Sequence, residues 1–81
     1  MMTNTVFEQI VHLTEDYLGP PARRFVSRQI TFHLDKKPED VTTDDIPKLT
    51  EWTRVTLSML TEDKRMVAEY TTKMTNLMKA G

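Results

Sequence analysis

At 81 residues the chain has room for one domain and a modest core. Hydrophobic residues make up 38% and charged residues 28%, with a formal net charge of −1, which argues against a constitutive nucleic-acid binder. Cysteine is absent, which excludes disulfides and thiolate metal sites.

The first predicted helix spans about residues 6–18. Thr5-Val6-Phe7-Glu8 has the spacing of a capping box, a hydroxyl followed three residues later by a carboxylate. Phe7, Ile10, Val11, Leu13, Tyr17 and Leu18 then recur in steps that place most of them on one helical face. Gly19 suits the left-handed position after a helix, and Pro20 prevents continuation.

The second helix is expected over 21–34. A proline in its first turn costs no hydrogen bond, because that N–H would be unpaired anyway. Ala22, Phe25, Val26, Gln29, Ile30 and His33 keep helical spacing, with Phe32 and Leu34 widening the stripe. Lys36 and Lys37 suit the negative end of the helix dipole, and Pro38 marks the stop.

The connector "DKKPEDVTTDD" is polar, with Val41 as its anchor. Thr42 or Thr43 is expected to cap a third helix over 44–60, with Pro47 in its first turn. Its stripe reads Ile46, Leu49, Trp52, Val55, Thr56, Met59 and Leu60. Thr61 is expected to cap a fourth helix over 62–79, lined by Met66, Val67, Tyr70, Met74, Leu77 and Met78. The threonines of these two helices are mediocre helix formers, so tertiary packing must hold them.

No alternating run is bounded by hairpin residues. The predicted fold class is therefore all-α, a compact bundle of four short helices forming a single domain over 1–81. The start "MMTNTVFEQIVHL" lacks the basic region and long apolar core of a secretion signal. No run approaches the roughly 20 apolar residues of a membrane span. A soluble cytoplasmic protein is the expectation.

Material for catalysis is scarce. There is no cysteine nucleophile, the serines are Ser27 and Ser58, and the two glycines form no phosphate loop. A non-enzyme is expected, with no cofactor. Glu8, His12 and Asp16 fall one turn apart on the first helix, a weak ligand pattern set against a plain solvated face. The solvated face is the simpler reading, so no metal is assigned. His33, on the apolar stripe of helix 2, reads as a boundary residue open to pH effects.

Arg23, Arg24, Arg28, Lys36 and Lys37 form the main candidate site, since no acid interrupts Tyr17 to Leu34. Arg24 and Arg28 are one turn apart and share a face, and guanidinium forks match carboxylate and phosphate. The competing reading is a solvated strip balanced by Glu39, Asp40, Asp44 and Asp45. Among the methionines, Met59, Met66 and Met74 read as core. Met78, near the chain end, is a candidate oligomer or partner contact.

The motif Tyr17-Leu18-Gly19-Pro20, followed by Ala22, Phe25, Val26 and Arg28, resembles a Tyr-Ile-Gly-Pro-x-Ala-x-x-Leu-Val-x-Arg pattern. That pattern marks small all-helical accessory domains at the ends of bacterial signalling proteins, among them kinases and response-regulator-like and roadblock-like proteins. The likeness covers about a dozen residues. The chain departs from it at Pro21 and at Gln29-Ile30. The resemblance implies a non-catalytic interaction domain in signalling and names no ligand-binding residue.

The expected function is thus a small protein–protein interaction or regulatory module. It would dock another protein, or a second copy of itself, through an apolar face with a basic strip on helix 2. The alternative is a nucleic-acid-binding domain using the same helix. No small-molecule substrate is evident.

Overall fold

A computed structural model describes residues 5–80, apart from the side chains of residues 79 and 80. Four α-helices follow one another: α1 (Thr5–Leu18), α2 (Ala22–Gln29), α3 (Ile46–Leu60) and α4 (Lys64–Ala80). Each packs on its neighbour in sequence, and α4 closes the ring against α1. The predicted all-α bundle is what forms, and the described residues include no strand.

The α1–α2 corner is built as its residues dictate. Gly19 adopts φ 72°, and its N–H donates to the Glu15 carbonyl at 2.9 Å, closing α1 in the left-handed manner glycine tolerates. The Ala22 N–H then donates to the Gly19 carbonyl at 3.0 Å, and the two prolines between them restart the chain as α2. At the other end of α1 the expected capping box does not form around Thr5. Thr5 is already helical, and both Glu8 carboxylate oxygens are turned to Arg23.

The second helix does not continue as α to its end. Ile30–Leu34 form a π turn, which stops at Asp35 in the left-handed conformation, φ 55° and ψ 41°. A π turn holds more residues per revolution, so side chains beyond it lag behind α-helical phase. Phe32 lies one turn beyond the exposed Arg28, on the side of the helix away from the core, and is 73% exposed, while Leu34 packs against the core. The expectation that Phe32 widens the buried stripe is overturned on this ground.

The connector runs through short 3-10 turns at Pro38–Asp40 and Thr43–Asp45, with Val41 buried between them as its anchor. The Asp45 carboxylate accepts from the Thr42 N–H at 3.0 Å and from Lys36 at 2.8 Å. Before α4 the capping role belongs to Asp63 rather than Thr61. Asp63 accepts the Met66 N–H at 3.0 Å, and Thr61 accepts the N–H of Asp63 itself at 3.1 Å.

The core draws on every helix: Phe7, Ile10 and Val11; Val26 and Ile30; Ile46, Leu49 and Leu57; Val67, Tyr70 and Met74. Three threonines join it, Thr14, Thr50 and Thr53. Tyr70 is fully buried, and its hydroxyl lies 2.8 Å from the Thr14 hydroxyl. Thr14 already donates to the Ile10 carbonyl, so Tyr70 is the donor of the pair. Burial pushes the Tyr70 phenol pKa up, and contacts with Thr14 and Thr53 pull it part of the way back. Small, β-branched threonines leave room for this ring and give its hydroxyl a partner.

Candidate docking face

Helix α3 carries two rows of apolar and small residues. Ile46, Leu49, Thr50, Thr53 and Leu57 face the core. Trp52, Val55 and Met59 recur at helical steps on the opposite side, with Leu60 at the end, and all four are exposed. Met59 is 81% exposed and Leu60 66%, so the reading of Met59 as core is corrected. The expected α3 stripe mixed both rows. Met74 is fully buried and Met66 packs against the core, as expected of them.

Two contacts fix how α2 lies beside this row. On one flank, Arg23 donates to both Glu8 oxygens at 2.9 and 2.8 Å and sits over the Phe7 ring, reaching α1. On the other flank, the His33 ring stacks on Trp52, with centroids 3.9 Å apart and planes 7° from parallel, reaching α3. Arg24, Arg28 and Phe32 follow one another at four-residue steps between these flanks. They therefore lie on the outward side of α2, all three exposed.

Two exposed rows result, one on each helix. The α2 row holds Arg24, Arg28 and Phe32. The α3 row holds Lys48, Glu51, Trp52, Val55 and Met59, and the His33–Trp52 stack joins the two helices.

Of the basic set, Arg23 is spent on Glu8 and Lys36 on Asp45. The Arg23 hydrogen bonds hold the Glu8 carboxyl below its ordinary range. Burial alone would raise Asp45, yet Lys36 and Thr42 outweigh it and lower its pKa. Arg24, Arg28 and Lys37 are exposed and enter no ion pair among the described residues. Met78, 42% exposed, stands apart on α4. The structure thus leaves Arg24 and Arg28 exposed on the same side of α2 as Phe32 and engages Arg23 and Lys36 elsewhere. The sequence signal for the missing part was present, as the second row on α3.

Elsewhere, a groove of about 850 Å³ runs between α3 and α4, with Val67 and Ala68 among its lining. The Ser58 and Thr71 hydroxyls on its walls donate to backbone carbonyls of their own helices, and Arg54 pairs with Glu51. Those polar groups are thereby engaged within the protein. Glu8, His12 and Asp16 do not converge. Glu8 faces Arg23, His12 lies 3.3 Å from Glu15, and no cluster with metal-ligating geometry occurs among the described residues.

No family model matches the chain, and neither the curated proteins nor the solved structures yield a match. Among the described residues no helix is long and apolar enough to cross a membrane.

Proposed function

We propose that this chain is a non-catalytic docking module that binds another protein through the exposed rows of α2 and α3. The observation that carries the reading is the exposed row Trp52, Val55 and Met59 on α3, with Phe32 exposed on α2, none of them part of the buried core. Exposed apolar patches of this kind are the usual mark of protein–protein contact. Trp and Met are enriched at the centres of such interfaces, and Arg at their hot spots. Arg24 and Arg28 are exposed on the neighbouring helix, and charge of this kind supplies orientation and partner selection more than raw affinity. The resemblance at Tyr17–Arg28 supports placing the module in signalling, in the cytoplasm.

The nucleic-acid alternative loses ground with the pairing of Arg23 and Lys36. Arg24, Arg28 and Lys37 remain at helix 2, against the roughly 6–10 phosphate contacts that give strong salt-dependent binding.

A photo-crosslinking residue placed at Met59 tests the docking reading in cells that express the chain. Its control is the same residue at Asp16, exposed on α1. A discrete crosslinked protein from position 59 and none from position 16 is the expected result. Equal labelling from both positions, or none from 59, would refute it.

A further inference from the structure

We draw no further inference here: the strongest candidate, the exposed row of Trp52, Val55 and Met59 along the outward side of α3, carries the opposite charges of Lys48 and Glu51 on one face, and nothing in the structure shows what covers it.

Discussion

Met59 and Met74 are the same side chain in opposite circumstances, 81% exposed on α3 and fully buried on α4. Met74→Ala removes packed atoms and leaves a cavity, so it should cost about 2–5 kcal/mol in urea unfolding. Met59→Ala should change stability by less than about 0.5 kcal/mol. A large cost at Met59 would mean that the row is not a free face. Gly19 gives a second test at this scale. A Cβ there would meet nothing within 4 Å, so Gly19→Ala is penalised by backbone conformation alone. The left-handed conformation costs an ordinary residue about 1–2 kcal/mol, which a melt of the variant should recover. Gly19→Asn should lose less, since asparagine tolerates that region.

The helices are tied to one another at the surface by carboxylates. Glu8 holds α2 to α1 through Arg23, and Glu69 holds α1 to α4 by accepting the Tyr17 hydroxyl at 2.7 Å. The Tyr17 hydrogen bond, followed by Lys73, keeps Glu69 below its ordinary pKa, as Arg23 does for Glu8. A carboxyl with a lowered folded pKa contributes stability that is complete above its unfolded value. That contribution is lost as pH falls through the folded value. Melting temperature should therefore decline on acidification below about pH 4, and Glu8→Gln and Glu69→Gln should each flatten that decline. An acid limb of unchanged slope in both variants would count against these ties.

Element positions were legible in the sequence because their punctuation is local. Gly19, the prolines and the capping residue Thr42 all act within a turn of their own position, while the cap of α4 fell at Asp63, two residues past the expected Thr61. Phase was less legible. Helix α3 offers two rows, and hydropathy ranks Trp52, Val55 and Met59 above Thr50 and Thr53. The bundle buries the threonine row instead, with the Thr53 hydroxyl satisfied by the Thr50 carbonyl at 3.0 Å, a choice set by how the helices pack and not by the hydropathy of α3 alone. The π turn was hidden for a similar reason. Nothing within "ITFHL" announces a lag, and the stack of His33 on Trp52 joins residues far apart in the sequence. The arginines were found, but their division into Arg23, paired, and Arg24 with Arg28, free, depends on α1 lying alongside.

At the scale of the molecule, a small bundle of helices packed in chain order is held mostly by contacts between neighbours. Such topologies fold in microseconds to milliseconds. Stopped-flow refolding should show a single fast phase carrying most of the amplitude, and a dominant phase slower than about a second would argue for a different order of packing. Total stability for 81 residues should fall near 4–12 kcal/mol, so a single core cavity removes a large share of it. That narrow margin makes it telling that the chain keeps Trp52, Val55, Met59 and Phe32 out of its own core.

The exposed thioether of Met59 also brings chemical vulnerability. Oxidation to the sulfoxide turns a soft apolar group into a polar one and disrupts methionine-rich contacts. Mild peroxide should modify Met59 well before the sheltered Met74, as peptide mass spectrometry would resolve, with the fold intact. Docking through the α3 row should weaken in step with that modification, and methionine sulfoxide reductase should restore it. The same side chain that opens the face to a partner would then make the contact answer to oxidants.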